Sequence, residues 1–344
     1  MLGRCDIGID LGTATVLAYM KGRGIVLREP SMVAIDTNTR NILAVGDEAR
    51  RMQGRTPANV KVIRPLRDGS VQDFDITERM LRYFLHKIVG RRALMRPYAI
   101  VCVPSGVTDM EKRSIVEATL DAGARRTQLM DSAVAGALGA GLEVDQAYGS
   151  LLVDIGGGIT DISVVAMERA VVRTAAHVAG DTFDDTIMRF LRKKHNLMVG
   201  ERTAEEVKVT IGSAMRRTEQ LFMDVSGRNM VTGLPKTVRV NSDEITEALE
   251  EPLQALVEQI QGVLERTPPE LAADVFDHGI TLLGGGSQLF ALDRALSRQL
   301  KLTCRVAEEP QACVCMGVGR AMEEGGGYER AMFDLRTGTG RKRK

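Results

Sequence analysis

Three glycine-rich turns carry the chemistry open to this sequence: Asp10-Leu11-Gly12-Thr13, Asp154-Ile155-Gly156-Gly157-Gly158 and Leu283-Gly284-Gly285-Gly286. Each follows an apolar run of strand character, and the first two place a carboxylate just ahead of the glycine. Glycine lets backbone N–H groups reach phosphate oxygens because no Cβ stands between them. A carboxylate at a strand end can hold Mg²⁺, usually through water, since that ion resists complete dehydration. One such turn alone reads equally well as a tight turn capped by a buried acid. Two of them in equivalent settings, at Asp10 and Asp154, place opposed phosphate clamps on duplicated halves. The third turn can then pass beside a sugar or base.

The elements around these turns repeat as well. Cys5–Asp10 and Thr13–Met20 read as strands joined at Leu11-Gly12, followed by short strands near Ile25–Arg28 and Met32–Ile35. Asp75-Ile76-Thr77-Glu78 has the form of a capping box, and Ile76, Met80, Phe84, Leu85 and Ile88 recur at helical spacing up to Gly90. Tyr98–Val103 is a further strand, and Thr108-Asp109-Met110-Glu111 opens a second boxed helix, which together imply a crossover unit. A small-residue helix over Ser132–Gly141 permits close approach to another backbone or to a ligand. Leu151–Asp154, the Gly156 turn and Thr160–Ala166 replay the opening of the chain. Helices are expected at Asp181–His195, from Thr203 onward and at Ser242–Leu264, the last broken or kinked at Pro252. Residues 223–241 read as a small strand insertion, and the Gly-rich, basic tail from Gly325 as frayed.

A length of 344 residues suits two domains of about 150 residues each. Apolar residues at 44% and charged residues at 26% point to a packed globular chain. Forty-six basic residues against 45 acidic ones leave a net charge of +1, which argues against nucleic acid as the partner. No apolar stretch is long enough to span a membrane, and the opening residues lack a leader pattern, so a cytoplasmic location is expected. The five cysteines read as reduced core thiols, Cys313-Val314-Cys315 being spaced too tightly for a common zinc pair, and the four histidines share no ligand spacing.

The arrangement resembles the actin, Hsp70 and sugar-kinase superfamily, and within it the MreB/Mbl family of bacterial actin homologues. Gly8-Ile9-Asp10-Leu11-Gly12-Thr13-Ala14 is similar to that family's first phosphate loop and Val153-Asp154-Ile155-Gly156-Gly157-Gly158 to its second. The segments Gly200–Lys208, Val231–Thr237 and Gly284–Gly286 with Arg305-Val306-Ala307 match too, so the resemblance runs from about residue 6 to 323. It implies an α/β actin-like ATPase fold: two tandem ribonuclease-H-like domains, 1–145 and 146–325, with small subdomains inserted at about 30–75 and 182–245, a flexible basic tail at 326–344, and a nucleotide cleft between the domains. By the same resemblance Gly12, Thr13, Ala14 and Thr15 face the phosphates of ATP from one domain, and Gly156, Gly157, Gly158 and Ile159 from the other. Asp10 and Asp154 then sit near Mg²⁺, while Glu205, Glu206, Val207 and Lys208 together with Gly284, Gly285, Gly286 and Ser287 border the adenosine. Read alone, Glu205, Glu206 and Lys208 are an exposed helix with local ion pairs.

The chain departs from the family where hydrolysis is performed. The family's Glu-Pro pair, which orients the attacking water, is replaced by Ser132-Ala133 after Asp131. The usual Thr after the triple glycine is Ile159, followed by Thr160 and Asp161, and Thr15 replaces an Asn. Ser132, Asp131, Thr160 and Asp161 are therefore the candidates for any catalytic role. Phosphoryl transfer depends on positioning and electrostatics, so nucleotide binding with slow hydrolysis is expected, unless Asp131, or Asp161 through water, replaces the missing carboxylate. The resemblance further implies homopolymeric filaments lying on the inner membrane surface and acting with the cell-wall elongation machinery to maintain rod shape. Leu94 and Met95, among Arg91, Arg92 and Arg96, occupy the place of the family's membrane loop. Rival readings are a small-molecule kinase, for which no acceptor pocket or dedicated acid is evident, a chaperone, which would need a peptide-binding region, and a weakened paralogue that joins the filaments of another actin homologue.

Overall fold

In the computed structural model, which describes residues 6–67, 70–90, 96–104, 106–324, 328 and 331–333, the apolar runs of both halves become strands in the same order. Asp6–Leu11, Thr15–Met20 and Gly24–Pro30 form an antiparallel meander, and Tyr98–Val103 and then Arg126–Asp131 add in parallel beside the first of them. Ser150–Ile155, Thr160–Ala166 and Arg169–Ala176 repeat the meander, with Ile280–Leu283 and Cys304–Val306 as the parallel additions. In both sheets the turn after the first strand is a glycine turn, so the duplicated topology brings each turn to the same end of its sheet.

Two inserted sheets flank this pair. Val33–Asp36, Ile42–Val45 and Val60–Ile63 pack with helix Asp47–Met52 in the first half. Leu197–Met198, Phe222–Asn229 and Pro235–Asn241 pack with helix Glu201–Ile211 in the second. The two halves meet on a core of their own, where Leu17 and Tyr19 of the first sheet and Leu152 and Val165 of the second close over helices Ser132–Gly139 and Cys313–Glu323. Those helices cross with their backbones nearly touching. A Cβ on Gly139 would lie 1.7 Å from the Cys313 carbonyl, and one on Gly317 the same distance from that of Ala135. The small residues of the first helix are there for this crossing.

Thr108 and Glu111 form the expected reciprocal capping box. The other helix start is corrected: Asp73, not Asp75, caps helix Phe74–Val89 by accepting from the Ile76 N–H at 3.2 Å, because Asp73 is the last extended residue and Asp75 already lies in the first turn. Helix Ser242–Arg266 runs on through Pro252 instead of breaking there. Burial of Ile245, Leu249, Pro252, Leu253, Leu256, Ile260 and Val263 along one stripe outweighs the roughly 3 kcal/mol that an interior proline costs. The expectation of a frayed tail fails at Met332–Phe333, which pair with Leu129 and Met130 at the edge of the first sheet. Leu94, Met95 and the terminal basic cluster lie outside the described residues. Cys102, Cys304, Cys313 and Cys315 are buried free thiols. Among the described residues no helix is long and apolar enough to cross a membrane.

Candidate functional site

The ends of both meanders open onto one cleft of about 580 Å³. Its floor is made by the two glycine turns, which close in the same way: the Gly12 N–H donates to the Thr15 carbonyl at 3.2 Å and the Gly156 N–H to that of Ile159 at 3.0 Å. The turns face each other closely, since a Cβ on Gly157 would lie 2.6 Å from the Cβ of Ala14. N–H groups of Gly180 and Asp181, at the start of helix Gly180–His195, donate to the Gly156 and Gly157 carbonyls and hold the second turn in place. The third turn abuts the second half's acid. Gly284 has φ of +78°, and a Cβ there would sit 2.4 Å from Asp154 Oδ1, so only glycine satisfies both constraints.

Beneath the turns lie Asp10 and Asp154. Burial pushes Asp10 up to about 7, and burial together with the neighbouring Asp10 and Asp161 charges pushes Asp154 up to about 8. A cation between them would remove that penalty. The donors are hard oxygens, which suit Mg²⁺. Among the described residues no group of three His, Cys, Asp or Glu side chains is set to hold an ion outright. Two carboxylates beside an open cleft leave the remaining positions to water and ligand oxygens, the way Mg²⁺ is usually bound.

This pair makes the cation-free protein sensitive to pH in a defined direction. When unfolded, both groups ionise near their ordinary 3.8, whereas when folded they resist ionisation until about 7 to 8. The stability contributed by the protonated groups is full below about pH 4 and is lost as pH rises through the folded values. Asp154→Asn is therefore expected to melt several degrees above wild type at about pH 8 without cation, and to gain less from added Mg-ATP. Melting curves from about pH 5 to pH 8, with and without Mg-ATP, check this. A variant that melts below wild type at every pH would contradict it.

The sequence candidates separate cleanly by placement. Gly12, Thr13, Ala14, Thr15, Gly156, Gly157, Gly158, Ile159, Glu205, Lys208, Gly284, Gly285 and Gly286 line the cleft. Ser287 does not: its hydroxyl donates to the Gly284 carbonyl at 2.7 Å and holds the turn from behind. Glu206 is exposed away from the cleft, and Val207 is fully buried in the second core. Lys208 donates to the Gly180 carbonyl at 3.0 Å and pairs with Asp184 at 2.9 Å. Its ion pair is thus to the neighbouring helix, not to its own.

Of the hydrolysis candidates, Ser132 and Asp161 line the cleft. The Ser132 hydroxyl donates to Asp161 Oδ2 at 3.4 Å, and that of Ser163 to Oδ1 at 2.8 Å. Asp131 instead caps the Ser132–Gly139 helix through the Ala133 N–H at 2.9 Å, with Arg173 at 3.7 Å. Burial and the Asp161 charge hold the Asp131 carboxyl above the usual range. Thr160 spends its hydroxyl on the Val178 carbonyl at 2.6 Å. Neither of these two side chains is among those that line the cleft.

Several cleft residues carry no signal in the sequence. Arg64, just past the last strand of the first inserted sheet, donates to both carboxylate oxygens of Asp181 at 2.7 Å across the cleft. Arg50 pairs with Glu205 at 2.9 Å, and Gln53 donates to Glu201 at 3.0 Å. These contacts join the two inserted regions over the opening. Arg64→Ala is expected to speed release of a bound nucleotide about fivefold, as fits a half-exposed pair worth about 1 kcal/mol. Stopped-flow release of a fluorescent nucleotide measures it, and an unchanged rate would show that the clasp does not limit exit.

Residues 4–329 match the MreB/Mbl protein family. The cell shape-determining protein Mbl of Bacillus cereus is 47% identical over 318 residues, covering 92% of this chain and 96% of that protein. The cell shape-determining protein MreB of Escherichia coli strain K12 is 44% identical over 324 residues, covering 92% and 93%. Among solved structures, MreB5 of Spiroplasma citri bound to ADP superposes with a TM-score of 0.89 at 34% identity, over 93% of this chain and 97% of that one. The same protein bound to AMPPNP gives the same TM-score and identity.

Proposed function

Because this chain belongs to the MreB/Mbl family, we propose that it is an actin-like protein that binds ATP with Mg²⁺ in the cleft, assembles into filaments and takes part in setting cell shape. The observation that carries this reading is the pair of glycine turns, closed by the same hydrogen bond and set face to face beside two half-buried aspartates that line the same cleft. The turns would hold the phosphates from both sides, and Asp10 and Asp154 would hold Mg²⁺. That ion, when bound, neutralises the phosphate charge. The Gly284 turn and the cleft face of helix Glu201–Ile211 border the nucleoside, with Glu205 and Lys208 toward it.

Hydrolysis is slow in this reading. Ser132 and Ile159 stand where the family resemblance expects a water-orienting carboxylate and a hydroxyl, and neither side chain can accept a proton from water at neutral pH. Binding needs only the turns and the acids, so it is retained. Filaments form by head-to-tail contacts that do not close. They lie against the inner membrane surface through Leu94 and Met95 and serve the wall-elongation machinery, as the sequence resemblance implies.

Titration of Mg-ATP into the purified protein, followed by sedimentation with and without anionic lipid vesicles, tests the reading. Saturable nucleotide binding and nucleotide-dependent pelleting are expected, and failure to bind ATP at all would overturn it. The substituted Ser132 and Ile159 also favour a second reading, a weakened paralogue that assembles only with another family member. Pelleting confined to such mixtures would select it.

A further inference from the structure

Among the described residues four basic side chains line the cleft: Arg28, Arg64, Lys208 and Arg217. Three of them are engaged. Arg64 is bound to both carboxylate oxygens of Asp181, and Lys208 to Asp184 and the Gly180 carbonyl. Arg217 lies just past the third glycine turn, its guanidinium over the Phe290 ring with Cζ 3.7 Å from the centroid. Arg28 is different. Its side chain makes one hydrogen bond among the described residues, from Nη1 to Gln311 Oε1 at 3.4 Å, and among those residues no carboxylate pairs with it. The residue is exposed to the cleft mouth.

The strand register fixes where Arg28 stands. Asp10 is paired with Leu17, and Leu17 in turn with Arg28, so the three form one row across the first meander. Residues directly opposite one another on paired strands point to the same face, and all three line the cleft. Two strand spacings of about 4.8 Å put the Arg28 backbone about 10 Å from that of Asp10. Leu17, between them, offers no charge to either. The outer phosphates of a nucleotide, bridged by a cation at Asp10, would lie within the span of an arginine side chain. A polyphosphate carries more negative charge than one Mg²⁺ offsets, and a guanidinium meets phosphate oxygens with two parallel N–H bonds. The neutral amide of Gln311, at the long limit of a hydrogen bond, is a weak competitor for those donors.

We propose that Arg28 swings from Gln311 onto the outer phosphates of the bound nucleotide and supplies the side-chain cation that the glycine turns lack. The proposal rests on the nucleotide reading of the cleft. Calorimetric titration of ATP, ADP and AMP, each with Mg²⁺, into wild type, Arg28→Lys and Arg28→Leu tests it, with melting curves confirming that each variant is folded. Arg28→Leu is expected to lose affinity for ATP and ADP about tenfold, while AMP, which lacks the outer phosphates, changes less than about twofold. Arg28→Lys keeps the charge but loses the planar fork, and its losses are expected to fall between those of wild type and Arg28→Leu. Unchanged affinity for ATP in Arg28→Leu would overturn the phosphate contact. So would an equal loss for all three nucleotides, because a residue that only joins the walls of the cleft through Gln311 would weaken each of them alike. Either result leaves the nucleotide cleft intact, whereas a wild type that binds none of the three would remove both readings.

Discussion

The double variant Ser132→Glu with Ile159→Thr is expected to release phosphate from Mg-ATP about a hundredfold faster than wild type or more. Ser132 opens a rigid helix and lines the cleft, and Ile159 closes the second glycine turn. A carboxylate and a hydroxyl at these places would orient water and share its proton, and removing one preorganised group of that kind typically changes rate by about 10²–10³. The gain is partly offset by the charge of Asp161, whose carboxylate accepts from Ser132 in wild type at 3.4 Å and would face the new Glu. Each single variant is therefore expected to fall well short of the pair, and ATP affinity to change little in any of them. Single-turnover phosphate release at saturating Mg-ATP measures the effect. A wild type already as fast as the double variant would contradict slow hydrolysis. It would also identify Asp161, which lines the cleft between Ser132 and Ser163, as the group that positions water. Asp131 is not available for that, because its carboxylate caps a helix.

Gly157→Val is expected to lower ATP affinity at least about a hundredfold, about 3 kcal/mol. Even the first added carbon would lie 2.6 Å from Ala14, and Val adds two more. The turns would have to separate, and the proposed grip on the phosphates needs them face to face. Gly157 and Ala14 are half-buried and neither belongs to a buried core, so the melting temperature of the nucleotide-free protein should move far less than the affinity does. Equilibrium titration with a fluorescent ATP analogue checks the first statement and a melting curve the second. Affinity within about threefold of wild type would mean that the turns do not grip the ligand together.

What the sequence revealed, and what it withheld, follows from periodicity. The glycine turns are legible because each is local: an apolar strand runs straight into glycine, twice with an acid just ahead of it. The Thr108–Glu111 box was legible for the same reason. Runs of adjacent candidates were over-read. Four consecutive helical residues cannot share a face, and of Glu205 to Lys208 only the first and last, three apart, look into the cleft, while Glu206 points to solvent and Val207 to the core. Strand alternation separates Thr160 from Asp161 in the same manner, one bonded to Val178 and the other lining the cleft. The clasp of Arg64 on Asp181 and the stack of Arg217 on Phe290 join residues far apart in the chain, with no local pattern to mark either partner. Helix Ser242–Arg266 does not break at Pro252 because a buried stripe holds it, which local preference cannot weigh.

A cleft that holds ATP and hydrolyses it slowly would keep its nucleotide uncleaved long after binding. The most direct measurement mixes the purified protein with Mg-ATP, separates protein from free nucleotide, and quantifies bound ATP, bound ADP and released phosphate in the same samples over time. One nucleotide per chain, still mostly ATP long after binding is complete, is the expected result. No bound nucleotide, or conversion to ADP as fast as binding itself, would contradict it.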